Sequence, residues 1–171
     1  RCRIGFLCVK RVIIDTDPGI DDAAAILLAL ASPELCVEAI TTVYGNGPVE
    51  VCTSNALRIL HAAGRTDIPV YQGVGTPLLR HPNPGWASQV HGADALGNTS
   101  FPLPPNPPIV PPFEGGTAGG STPFEGGTAG GSTRRHAVPE IIARVMAAPG
   151  QLSWLALGRL GFTRADAPAL G

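Results

Sequence analysis

Charge is scarce in this chain. Only 15% of its 171 residues are charged, 12 basic against 13 acidic, for a formal net charge of −1. That balance gives no electrostatic case for nucleic acid or an anionic membrane surface as partner. Apolar runs of membrane-spanning length are missing too, so a soluble protein without a membrane partner is expected. The opening RCRIGFLCVKRV lacks the h-region and the small-residue cleavage site of a signal peptide. The four cysteines, Cys2, Cys8, Cys36 and Cys52, form no CxxC pair and have no histidines at zinc spacing. Cys36 and Cys52 lie in apolar segments and read as buried thiols. A reduced, cytoplasmic protein is the default expectation.

The length suits one domain. RVIID, at residues 11–15, is a β-branched run typical of a buried parallel strand. TDPG then makes a turn, and IDDAAAILLALAS is rich in helix formers until Pro33. CVEAITTV is a second strand, ending at YGN. PVEVCTSNALRILHAAG reads as a second helix, with Val51, Leu57, Ile59, Leu60 and Ala63 as its apolar face and Gly64 as its stop. IPVYQG is a third strand. This alternation implies right-handed crossovers and an α/β fold with an open, mostly parallel, Rossmann-like sheet and flanking helices.

From residue 102 to 133 half of the chain is proline or glycine, eight of each, and PFEGGTAGGST occurs twice in tandem. A share near 25–30% already signals low complexity. Without a periodic apolar face the stretch cannot offset its ordering entropy, so a disordered insertion is expected. A helix follows in HAVPEIIARVMAAPGQ, where Val138, Ile141, Ile142, Val145 and Met146 keep helical spacing. His136 reads as its cap. LSWLALG is a fourth strand, in which Trp154 reads as a core residue.

Within this quiet background four aspartates crowd into eight residues. Asp15 and Asp17 stand where the first strand ends, and Asp21 and Asp22 where the helix begins. In a parallel sheet, the crevice beyond the strands' carboxyl ends is where ligands bind. One Asp suffices to cap a helix; four repel one another unless protons or a cation intervene. Three readings compete: a cap plus solvated acids; a phosphoryl-transfer DxD like that of the haloacid dehalogenase group, which expects Thr or Val where Gly19 stands; and a hard divalent cation. Calcium accepts six to eight oxygen ligands in irregular geometry.

DTDPGIDDA resembles the N-terminal signature of the inosine–uridine-preferring nucleoside hydrolases. AITTVYGN, NALRILHAAGRTDIPVYQG, VHGADALGN and RHAVPEIIARVMAAPGQLSWLALG resemble the segments that follow in that family, in the same order. The resemblance makes 11–98 the N-terminal part of the domain, 99–133 an insertion, 134–160 a continuation and 161–171 a tail without likeness. It implies calcium as cofactor, a ribonucleoside as substrate, and cleavage of the N-glycosidic bond to free base and ribose, in nucleoside catabolism or salvage. Asp17 would bind calcium and act as general base on the attacking water. Asp22 would be a second calcium ligand, and Asp15 a supporting one acting through water. Asp21 would hydrogen-bond a ribose hydroxyl, Asn46 would contact the ribose or the water, and His91 would lie near the base.

Family members are about twice as long, and their next turn resembles Gly-Pro-Leu-Thr-Asn where this chain reads GRLGFT. A late histidine acid and a further calcium-binding aspartate have no counterpart here. The alternative reading is therefore a non-catalytic remnant with at most weak calcium or ribose binding. A homo-oligomer is open. Half of a doubly wound sheet would also expose apolar strand faces and an unpaired edge.

Overall fold

A computed structural model describes residues 9–76, 88–99, 101–105 and 136–157. Most of the expected insertion, the tail, Cys2 and Cys8 lie outside the described residues. Strand β1 (Lys10–Thr16) leads into helix α1 (Ile20–Ala31), followed by β2 (Leu35–Thr42), α2 (Val49–Ala62) and β3 (Val70–Gln72). After them come the short helix α3 (Ser88–His91), α4 (Ala137–Ala147) and β4 (Leu152–Ala156).

The four strands form one sheet in the order β3-β2-β1-β4, with every pairing parallel. This is the open parallel α/β sheet expected. The chain steps outward from β1 to β2 to β3, then returns to place β4 on the other side of β1. Strand order thus reverses between β1 and β4, and the crevice at such a reversal is where open α/β sheets hold ligands.

Local chemistry sets the element ends. α1 begins at Gly19, whose N–H donates to Asp22 Oδ2 at 3.0 Å, so an acid in the first turn satisfies an orphan amide. It ends at Ser32, before Pro33. The chain leaves α2 through Gly64 in the left-handed region, φ +66°.

Side chains alternate across the sheet. Val12 and Ile14 of β1 join Val37 and Ile40 of β2 under Ile26 and Ala29 of α1 and Ala56, Leu57, Ile59 and Leu60 of α2, which form the core. The opposite face carries buried Ile13 beside a set of polar groups. Arg11 of β1 pairs with Glu38, which the β1–β2 register skips as a bulge. Arg144 of α4 reaches the same face: its Nε donates to Glu140 at 2.8 Å, one Nη donates to the Tyr71 hydroxyl at 3.3 Å, and the other lies 3.7 Å from Glu38.

That face reverses one expectation. α4 has the spacing read from sequence, but its apolar stripe points outward, with Val138, Ile142, Val145 and Met146 exposed, the last at 72%. Its buried side carries Ala137 and Glu140, because the sheet presents ionic and phenolic groups there that need Glu140 and Arg144. The cap is as expected: His136 Nδ1 accepts the Val138 N–H. Trp154 is a second correction, 58% exposed rather than core. β4 pairs with β1 alone among the described strands, and Leu155 is exposed as well.

Candidate active site

The acids gather at the switch point, though not as one cluster. Asp17, the first residue beyond β1, is 2% exposed, and Asp22, in the first turn of α1, is 6% exposed. Asn46 ties them together. Its backbone N–H donates to Asp17 Oδ2 at 2.7 Å, and its Nδ2 donates to the Asp17 carbonyl at 3.0 Å and to Asp22 Oδ2 at 3.1 Å. Asp22 Oδ1 accepts the Thr16 hydroxyl at 2.9 Å.

This stitching follows from the sheet. Val43 N–H donates to Thr16 O at 3.1 Å, carrying the β1–β2 ladder one step past both strands, so that Gly45 and Asn46 lie against Asp17. The approach is close enough that a Cβ on Gly45 would sit 1.8 Å from Asp17 Oδ2. Only glycine permits it.

Asp21 points to solvent, its side chain 80% exposed, with one oxygen 3.8 Å from His91 Nδ1. That same Nδ1 accepts the Ile20 N–H at 3.3 Å. One nitrogen cannot accept from the amide and also donate to Asp21. The shorter, directed contact assigns Nδ1 as acceptor and places the imidazole proton on Nε2. His91 is buried against the α1 N-terminus.

Asp15 stands apart. Strand alternation sends it to the face opposite Thr16, where it accepts the Thr41 hydroxyl. Burial raises its pKa, only partly offset by that hydrogen bond. An acid whose folded pKa exceeds its unfolded one keeps a proton that the unfolded chain has released. Stability therefore falls as pH rises through that window and stays lower above it. Asp15→Asn keeps an oxygen for Thr41 and escapes this loss. Without divalent cation, the variant's advantage over wild type in urea midpoint should be larger at pH 7 than at pH 3. An equal gap at both would contradict it.

Cys52 is the buried thiol expected. Burial, then the charge of Asp17, pushes it up to about 12, and its sulfur donates to Gly47 O at 3.5 Å. Cys36 is buried too but is disulfide-bonded rather than a free thiol.

A buried carboxylate pair at a sheet reversal, tied by an asparagine from the loop after β2, narrows the fold's many uses to few. The family model of the inosine-uridine preferring nucleoside hydrolases matches residues 12–161. The chain belongs to this family. It is 52% identical over 100 residues to probable uridine nucleosidase 2 of Arabidopsis thaliana, covering 58% of this chain and 31% of that protein. It is 51% identical over 90 residues to the non-specific ribonucleoside hydrolase RihC of Salmonella paratyphi A, covering 53% and 29%. Among solved structures it superposes on a plant nucleoside hydrolase with TM-score 0.67 and 42% identity, covering 88% of this chain and 40% of that one. The chain thus spans about a third of the length of these curated relatives. No helix among the described residues is long and apolar enough to cross a membrane.

The site bears on a nucleoside hydrolase's metal as follows. Among the described residues no three His, Cys, Asp or Glu side chains are arranged to hold an ion. The oxygen donors suit a hard cation in kind. Three donors occupy three of the roughly four lone-pair positions of Asp22, leaving one on Oδ1. Asp22 thus keeps one carboxylate position of the kind that a hard cation takes.

Sequence reasoning missed four residues that build this site: Thr16, Thr41, Gly45 and Asn55. The alternating DTD signals that Thr16 faces away from its acidic neighbours. Neither Thr41 nor Asn55 carries a local signal, since their partners lie 26 or more residues away.

Proposed function

We propose that this chain is part of a ribonucleoside hydrolase that cleaves the N-glycosidic bond to free base and ribose, with calcium held by Asp17 and Asp22, while Asp15, turned to the other face of the sheet, has no direct part in holding it. The observation that carries the reading is the buried Asp17–Asn46–Asp22 linkage at the carboxyl end of β1. Such cleavage passes through an oxocarbenium-like state, in which positive charge develops on the sugar. Two carboxylates in a water-poor site stabilise that charge, and Asp17 takes the proton of the attacking water. Calcium, when bound, would supply the charge that lowers the water's pKa and gathers ribose oxygens.

The hydrogen bonds assign directions to the remaining groups. Both Nδ2 protons of Asn46 are committed to Asp17 and Asp22, so its Oδ1 is left to accept from a ribose hydroxyl or the water. Asp21, exposed at the rim, accepts a second hydroxyl. His91 offers Nε2–H toward the base, because Nδ1 already accepts from Ile20. Nucleoside salvage is the setting that suits this chemistry.

The test is release of reducing sugar from inosine or uridine with calcium present. Wild type should release it, and Asp17→Ala should lower the rate about 100-fold or more. No release from pure, folded wild type would replace the enzyme with the second reading, a non-catalytic relative.

A further inference from the structure

Two loops flank the carboxylates. One is the Asp17-Pro18-Gly19 turn; the other is the 91–98 turn that follows His91. The second turn is braced internally. Asp94 Oδ1 accepts the N–H groups of Leu96 at 2.8 Å and Asn98 at 2.7 Å, Asn98 Oδ1 accepts Ala93 N–H at 3.0 Å, and Gly97 N–H donates to His91 O at 2.6 Å. It is a preformed unit whose placement must come from outside.

Asn55 supplies that placement. It sits on α2, 2% exposed, and its Nδ2 donates one proton to Pro18 O at 3.3 Å and the other to Asp94 O at 2.8 Å. Both neighbours are carbonyl oxygens, so the amide must present its nitrogen to them. One side chain thus bridges two loops 76 residues apart.

We propose that Asn55 is a positioning residue: by clamping the Pro18 and Asp94 carbonyls it holds His91 against the N-terminus of α1, in register with Asp17 and Asp22. The consequence is local. Without the clamp, the 91–98 turn separates from the α1 N-terminus, Ile20 N–H loses its acceptor, and the His91 tautomer is no longer fixed. The proposal rests on the hydrolase reading for the clamp's purpose, but its signature is read on the full chain without substrate, so absence of turnover does not bear on it.

The test is NMR of the ¹⁵N-labelled chain, comparing wild type, Asn55→Leu and the core variant Leu60→Ala, which destabilises α2 without touching the clamp. Wild type should show the His91 Nε2–H tautomer, a slowly exchanging Ile20 amide and two slowly exchanging Asn55 side-chain protons. Asn55→Leu should mix the tautomers and speed Ile20 exchange at least tenfold, and Leu60→Ala should leave the tautomer intact. An unchanged His91 signature in Asn55→Leu, or the same change in Leu60→Ala, would overturn the proposal. Should Asn55→Leu not fold, fast exchange of either Asn55 side-chain proton in wild type would overturn it alone.

Discussion

On the hydrolase function proposed above, Gly45→Ala is expected to lower nucleoside hydrolysis by about 100-fold or more, with a loss of about 1–3 kcal/mol in stability. The added methyl would lie 1.8 Å from Asp17 Oδ2, 2.4 Å from its Cγ and 2.8 Å from its Cβ, so the whole carboxyl group must leave its place. Asp17 has little room to go, being almost fully buried, and Oδ2 would part from the Asn46 N–H. Otherwise the β2–α2 loop must retreat, carrying Asn46 and its bond to Asp22 with it. Either response displaces the group assigned as general base, and displacements near 1 Å suffice for such losses. The obstacle is steric, since Gly45 is not among the residues with positive φ.

Gly47→Ala is the matched control. Its Cβ would meet Ala95 at 3.4 Å and Val51 at 3.6 Å, ordinary contact distances. Activity and urea midpoint should stay near wild type. Equal damage from both variants would show that the loop tolerates no side chain at all, and would remove the special relation between Gly45 and Asp17.

The contrast between these two glycines bears on what the sequence could tell. DTDPGIDDA announced a charged site at a strand end because four acids in eight residues demand a cause. YGN announced Asn46 through the family likeness. Nothing local separated Gly45 from Gly47, since the difference lies in what a strand from another part of the chain brings alongside. The same holds for Asn55, whose acceptors belong to two distant turns. The core of β1, β2 and α2 was legible because apolar residues there follow the period of their element and meet an apolar neighbour. α4 kept the period and still turned its apolar stripe outward. Periodicity fixes which residues share a face; the partner decides which face is buried. Here the partner surface carries Arg11, Glu38 and Tyr71. The place of β4 was equally hidden, because a parallel crossover can add a strand at either edge of the sheet, beside β3 or beside β1. Its landing beside β1 makes the switch point, and leaves Trp154 exposed.

At Asp22 the frame and the chemistry can be pulled apart by two substitutions. Asp22→Ala removes the acceptor of three donors at once: the Thr16 hydroxyl, the Gly19 N–H and the Asn46 amide. Thr16 has no exposed surface on which water could replace the loss. A buried donor left unpaired costs about 1–3 kcal/mol, and the three share a small region, so a total near ~3 kcal/mol is expected in urea unfolding. Asp22→Asn behaves differently. With its oxygen kept toward Gly19 and Asn46, its nitrogen faces Thr16, whose hydroxyl turns from donor to acceptor. The network survives, and one buried negative charge beside Asp17 is gone. Stability should therefore stay within about 1 kcal/mol of wild type. What Asn cannot supply is the charge that holds a divalent cation. Wild type should gain thermal stability on adding calcium, by linkage of binding to folding. Asp22→Asn should show little of that gain, and sugar release should fall with it. A calcium-induced rise in Tm that persists undiminished in Asp22→Asn would dismiss Asp22 as a ligand. Its role would then be to cap α1 and to hold Asn46 over Asp17.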